Sequence, residues 1–123
     1  MSKISSYLRV TAGILLSSLS VLLITSSASA QSPPYDWIVT GARITWIEAT
    51  YMPSVVPFGI DAAGGSCGAG TQLKWNGSGS DLATQQASVK AIYAALVGAK
   101  LSGTTVRLYG VNAGCIVKFI YLE

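Results

Sequence analysis

The stretch Asp81–Gly103 reads DLATQQASVKAIYAALVGAKLSG. Its apolar side chains recur at i, i+3, i+4, i+7 and i+8, the spacing of one helix face: Val89, Ile92, Tyr93, Leu96 and Val97. Ser80 or Asp81 can cap the first turn, because a short side-chain oxygen accepts hydrogen bonds from its free N–H groups. Lys100 suits the helix dipole in the last turn, and Gly103 is typical of a helix end. The sequence therefore predicts one helix here.

Five runs rich in β-branched and aromatic residues surround this helix and are typical of strands. They lie at 37–51, 55–62 and 73–75 before the helix, and at 104–109 and 115–122 after it. A mainly β chain of this order, with the helix between strands 3 and 4, matches a five-stranded OB-type barrel. A plain α+β sandwich is the alternative. In either fold, the apolar stripe of the helix packs on the strands.

The first 30 residues have the pattern of a signal peptide, and residues 31–123 form a single small domain. Lys3 and Arg9 precede an apolar run at 10–24, and Ala28-Ser29-Ala30 is a small-x-small cleavage site. The apolar run is short for a membrane span, so we expect cleavage rather than an uncleaved anchor. The mature protein is expected to be periplasmic or secreted, with no membrane attachment.

The charge of the mature domain argues against a nucleic-acid partner. Without Lys3 and Arg9 the eight basic residues fall to six against five acidic ones, which lowers the net charge from +3 to +1. The six cations are scattered along the sequence rather than clustered, and a nucleic-acid interface needs a basic patch. So few charges also indicate a generous core or a surface that is covered in an assembly.

Both cysteines of the chain, Cys67 and Cys115, lie in the exported part. Export places them in an oxidising compartment, and two cysteines allow one intrachain pair. The sequence therefore predicts a Cys67–Cys115 disulfide rather than two free thiols. Closing the loop between them is worth roughly 3–4 kcal/mol on a chain-entropy estimate.

The residues for most catalytic chemistry are missing. The chain has no histidine, which excludes serine–histidine and cysteine–histidine nucleophiles and Cys/His metal sites. A hydrolase could use paired carboxylates such as Asp36 and Glu48, but no motif places them together. The glycines at 64, 65, 68 and 70 lack the Gly-Lys-Ser/Thr ending of a phosphate loop. We predict a protein that is not an enzyme and has no metal and no cofactor.

The aromatic residues suggest binding, because sugars stack on aromatic rings and hydrogen-bond to neighbouring polar groups. Trp46, Phe58 and Phe119 are predicted to be core, whereas Tyr35 and Trp37, near the start of the mature chain, are predicted to be exposed. Loop residues that could supply the polar contacts are Ser66, Thr71, Asn76, Ser78 and Asn112.

Several motifs resemble the B subunits of the subtilase cytotoxin and typhoid toxin type, in the same order. They are Thr40–Thr45, Pro57–Ile60, Trp75, Tyr93 in the helix, and Ser102–Tyr109. The resemblance implies an OB fold, a homopentameric ring and binding of sialylated glycans or glycoproteins. It also implies a second, toxin-like subunit as a partner.

The resemblance assigns a role to Thr40, which matches a serine that holds sialic acid in that family. We therefore take Thr40, Tyr35 and Trp37 as candidate glycan-binding residues. Gly59 stands where the family has a cysteine. The expected function is that of a secreted, ring-forming glycan-binding subunit. The alternative is a monomeric periplasmic protein of structural or inhibitory type without a sugar site.

Overall fold

The computed structural model describes residues 32–123, and the predicted signal peptide at 1–30 lies outside this range. The elements, in chain order, are β1 (Trp37–Ala42), β2 (Ile44–Ile47), β3 (Val56–Ile60), β4 (Leu73–Trp75), α1 (Leu82–Ser102), β5 (Val106–Val111), the short 3-10 helix Ala113–Cys115, and β6 (Ile116–Leu122). Within this part of the chain, no helix has the length and apolar character needed to cross a membrane.

The six strands form one sheet in the order β1-β5-β6-β4-β3-β2. All neighbours are antiparallel except β4 and β6, which pair in parallel through Lys74 and Ile116. The strands at the two ends of this order, β1 and β2, are separated in the sequence by Arg43 alone. The sheet therefore curls into a half-barrel, and the mainly β class with one helix is confirmed.

The structure has six strands instead of the predicted five, because the run at 37–51 is broken at Arg43. The Arg43 N–H donates to Asp61 Oδ1 (2.8 Å), and the Asp61 N–H donates to the Arg43 carbonyl (3.1 Å). Arg43 is therefore bonded to the residue after β3 and joins neither β1 nor β2. Gly41, at φ 67°, lies in a register shift just before the break. The helix consequently follows the fourth strand rather than the third.

Helix α1 begins and ends as predicted. Asp81 is the N-cap and accepts from the Thr84 N–H at 2.7 Å, and this bond holds the pKa of the Asp81 carboxyl below its usual value. Gly103 ends the helix at φ 72° in the left-handed region. Arg43 donates to the Gly103 carbonyl (2.8 Å) and Lys100 to the Thr45 carbonyl (2.7 Å), which fastens the helix end to the broken first strand.

The core lies between the inner face of the sheet and one side of α1. The helix contributes Val89, Leu96 and Ala99 as buried residues, with Ile92 and Tyr93 packed partly buried beside them. The sheet contributes fully buried side chains from several strands: Val56, Phe58, Ile60, Leu73, Val106 and Leu108. The predicted stripe is thus largely the buried side of the helix, extended by Ala99.

The predicted disulfide is confirmed. Cys67 and Cys115 are bonded with their Cα atoms 5.9 Å apart. Cys67 also exchanges two backbone hydrogen bonds of 2.8 Å with Gly64. The bridge therefore ties the glycine-rich loop to the residue that precedes β6. It is compatible with an extracellular or periplasmic location.

Candidate ligand-binding surface

The outer face of β1, β5 and β6 carries large apolar side chains that a monomer leaves uncovered. Side chains directly opposite one another on antiparallel strands lie on the same face. Ile38 is paired with Tyr109, and Tyr109 with Phe119, so these residues form one row across the three strands. Tyr121 lies two residues after Phe119 and therefore faces the same way.

Tyr109 is the centre of a cluster of rings. Its ring centroid lies 4.9 Å from that of Tyr35, 5.7 Å from Tyr121 and 5.9 Å from Phe119. All three pairs are edge-to-face, the arrangement that the ring quadrupoles favour. Phe119 is 42% and Tyr121 51% exposed, and Ile38 is similarly open. We call these five residues (Tyr35, Ile38, Tyr109, Phe119 and Tyr121) the aromatic surface.

Thr40 and Arg107 continue the same face at its polar margin. Val39 pairs with Leu108 and Ala42 with Val106, which leaves Thr40 and Gly41 together opposite Arg107. Thr40 is exposed. No hydrogen bond within residues 32–123 uses its hydroxyl. That hydroxyl can therefore both donate to and accept from a ligand.

Arg107 brings a permanent positive charge to this margin. It forms an ion pair with Glu123, at the end of the chain. Interaction with the Tyr109 side chain, and then with Glu123, raises the pKa of Arg107 further above its usual value. The guanidinium is thus charged at every accessible pH, and its ion pair partly neutralises it. The margin suits hydroxyl groups as well as weakly acidic ones.

Tyr35 precedes β1, yet its position is fixed by its neighbour Asp36. The Asp36 N–H donates to the Gly110 carbonyl at 2.8 Å. In return, the Asp36 carboxylate accepts from the Asn112 N–H at 2.8 Å. The segment before β1 is therefore attached to β5 and to the turn after it. This attachment holds the Tyr35 ring against Tyr109.

The prediction that Trp37 is exposed is wrong. Trp37 is only 6% exposed, and its indole points to the inner side of the sheet. A Cβ atom at Gly64 would lie 2.8 Å from the indole Cε3, and one at Gly110 would lie 2.7 Å from Cε2. The ring therefore occupies space that only glycines leave open. Trp37 is a core residue and cannot contact a ligand on the outer face.

The other aromatic predictions have mixed outcomes. Phe58 is fully buried, as predicted, whereas Phe119 lies in the aromatic surface and not in the core. Trp46 is half-buried on the outside of β2, opposite Gly59, and its indole N–H donates to the Gly70 carbonyl at 3.2 Å. A side chain at position 59 would overlap this indole, so only a glycine fits opposite Trp46.

The predicted polar loop residues do not converge on the aromatic surface. Asn112 accepts from the Ser66 N–H at 2.9 Å, and the Thr71 hydroxyl donates to the Gly68 carbonyl at 2.6 Å. These bonds order the loops themselves. Ser78 lies near the start of α1, and Asn76 lines a cavity that shares no residue with the aromatic surface.

Sequence reasoning found two members of the surface region, Tyr35 and Thr40, and missed Tyr109, Tyr121 and Arg107. The alternation that places Arg107 and Tyr109 on one face can be read from the sequence. The sequence does not show that β5 pairs with β6, which places Tyr121 opposite Arg107. Within residues 32–123, no three potential metal ligands lie together.

Comparisons with known proteins add no assignment, since no family model, curated protein or solved structure matches this chain. The aromatic surface, with Thr40 and Arg107 at its margin, is therefore the feature of the described residues that bears on function.

Proposed function

We propose that this protein is an exported, non-catalytic binding protein that holds a glycan on the aromatic surface. The observation that carries the proposal is the exposed ring cluster around Tyr109, with the unbonded Thr40 hydroxyl on the same sheet face. Rings that are exposed and held in fixed edge-to-face contact offer a preorganised apolar platform.

The chemistry of a sugar fits such a platform. The C–H face of a pyranose ring is apolar and stacks on Tyr121 or Phe119, which are the most open rings of the aromatic surface. Its hydroxyl groups then reach the Thr40 hydroxyl and the Arg107 guanidinium at the margin. Binding sites of this type combine apolar contact with a few polar groups that fix orientation. Candidate glycan-binding residues are thus Thr40 and Tyr35, as predicted, with Tyr109, Phe119 and Tyr121 in place of Trp37.

The strand order supports a further part of the proposal, an OB-type barrel. If β1 and β2 are taken as one strand bent at Arg43, five strands remain, and the bent strand pairs with β5 at one end and β3 at the other. The helix then follows the third strand, as an OB-type arrangement requires. This reading agrees with the resemblance to toxin B subunits, and with it we propose a periplasmic or secreted homopentamer that accompanies a second subunit.

A glycan array with the oxidised mature protein tests the proposal. We expect binding to a defined set of glycans, weakened by Thr40→Ala and abolished by Tyr121→Ala, because the first removes one hydroxyl and the second a stacking ring. Leu101→Ala is the matched control, since Leu101 is an exposed apolar side chain on α1 and belongs to neither strand surface. Glycan binding that both surface variants leave unchanged would place the sugar elsewhere and refute the assignment.

The alternative is a monomeric periplasmic protein of structural or inhibitory type. One observation favours it, because exposed tyrosine and phenylalanine clusters are also typical of the core of protein–protein interfaces. Native mass spectrometry separates the two. A mass five times that of the mature chain supports the ring, whereas a monomer that retains no glycan on the array supports the alternative.

A further inference from the structure

A second surface lies on the outer side of β3, β4 and β6 and shares no residue with the aromatic surface. It consists of two adjoining cavities of about 440 and 220 Å³, which have Asn76 and Ile116 in common. Tyr51 lines the larger cavity and Lys118 the smaller one. We call the pair of cavities the lysine groove, after Lys74 and Lys118.

The groove presents hydrogen-bond donors that have no partner among the residues that the structure describes. Gln72, Lys74 and Asn76 alternate along β4 and its ends, so their side chains lie on one face. Tyr51 and Lys118 add a hydroxyl and a second ammonium. Within residues 32–123, none of these five side chains makes a hydrogen bond or an ion pair, and no acidic residue lines either cavity.

The two lysines are close enough to contact one group. Lys74 is paired with Ile116 across the parallel β4–β6 contact, and Lys118 follows Ile116 by two residues on the same face. Lys118 is the extra residue at the β5–β6 register shift, which shortens the strand locally, so the two Cα atoms lie within about 8 Å of each other. Lysine side chains of that separation can bring both ammonium groups onto a single anion that lies between them.

We propose that the lysine groove binds a small molecule or saccharide through a phosphate or sulfate ester. Two ammonium groups and the Asn76 amide can donate from three directions, and the three terminal oxygens of a tetrahedral ester can accept one bond from each, whereas the two oxygens of a carboxylate lie in one plane. Lysine is a common phosphate ligand that acts as a point charge. The apolar floor formed by Pro57 and Ile116, with the Tyr51 ring at one end, contacts the organic part of the ligand.

NMR titration of the ¹⁵N-labelled mature protein at constant ionic strength tests this site. The probes are inorganic phosphate, inorganic sulfate, glucose 6-phosphate, glucose and acetate. We expect glucose 6-phosphate to bind at least fivefold more tightly than inorganic phosphate, and the side-chain amide signals of Gln72 and Asn76 to shift. Glucose alone and acetate should leave those signals unchanged.

Variants of the two lysines complete the test. Lys74→Ala and Lys118→Ala should each weaken glucose 6-phosphate binding at least fivefold. Lys90→Ala is the matched control, because Lys90 is an exposed cation on α1. Lys118 is itself exposed, so its removal leaves the fold intact even if Lys74→Ala does not.

Three outcomes would overturn the proposal. The first is acetate binding as tight as phosphate binding, and the second is equal weakening by the Lys90 control. The third is tighter binding of a single-stranded oligonucleotide than of glucose 6-phosphate, which would make the groove a nucleic-acid site. These results are independent of the glycan array, because the variants used there, Thr40→Ala and Tyr121→Ala, change no residue of the lysine groove.

Discussion

Replacing Gly110 by alanine should lower the free energy of unfolding, whereas the same replacement at Gly98 should not. The backbone at Gly110 is not left-handed, so the only new feature is a Cβ atom, and that atom would overlap the Trp37 indole. The ring cannot move away, because the backbone at Gly64 and Gly65 lies against other atoms of the same indole. Overpacking of a core costs about 1–3 kcal/mol, and the enclosed ring places Gly110→Ala at about 2–3 kcal/mol.

Gly98→Ala is the matched control, because Gly98 lies inside α1 and a Cβ atom there meets no other atom within 4 Å. Alanine is favoured over glycine within a helix by about 0.5–1 kcal/mol, so this variant should be stabilised. For a domain of this size, Gly110→Ala should lower Tm by roughly 10–20 °C and Gly98→Ala raise it by about 4 °C. Equal Tm values for Gly110→Ala and the parent protein would refute the position of the Trp37 ring.

Three further predictions concern the disulfide, the glycine under Trp46 and the helix cap. Reduction of Cys67–Cys115, 48 residues apart, should lower the free energy of unfolding by about 4 kcal/mol in urea titrations with and without dithiothreitol. Gly59→Ala should displace the Trp46 indole, costing about 1–2 kcal/mol and shifting tryptophan emission to longer wavelength; unchanged emission would contradict the contact. Because the folded-state pKa of Asp81 is lowered, its stabilising effect is complete above about pH 4 and lost as the pH falls further. The urea midpoint of Asp81→Asn should therefore vary less between pH 2 and 5 than that of the parent, and an identical pH profile would count against the cap.

The helix and the disulfide could be predicted because their signals are local or unique. A 21-residue helix repeats its apolar spacing several times and carries its own cap residues, Asp81 and Gly103. Two cysteines allow only one pair. The break at Arg43 could not be read from the sequence, because it depends on a contact with Asp61, 18 residues away.

The candidate site was only partly predictable for the same reason. The exposure of an aromatic residue depends on which face of which strand it occupies and on what covers that face. Trp37 follows the predicted cleavage site closely and was expected to be exposed. Its indole is instead enclosed by Gly64 and Gly65, 27 and 28 residues away, and by Gly110, 73 residues away. Phe119 was expected to be buried, yet the inner positions of β6 are taken by Val117 and Ile120.

The three tryptophans differ in their surroundings from the rings of the aromatic surface. Each tryptophan is placed by close contacts: Trp37 and Trp46 lie where glycines face them, and the Trp75 indole donates to the Ser88 hydroxyl at 3.1 Å. The rings of the aromatic surface are tyrosine and phenylalanine, and their outer faces contact no part of the described chain. Truncating Tyr121 therefore removes contact area for a ligand without opening a cavity in the core. We therefore expect Tyr121→Ala to leave Tm unchanged, and a loss of glycan binding in this variant would then report on the proposed surface itself.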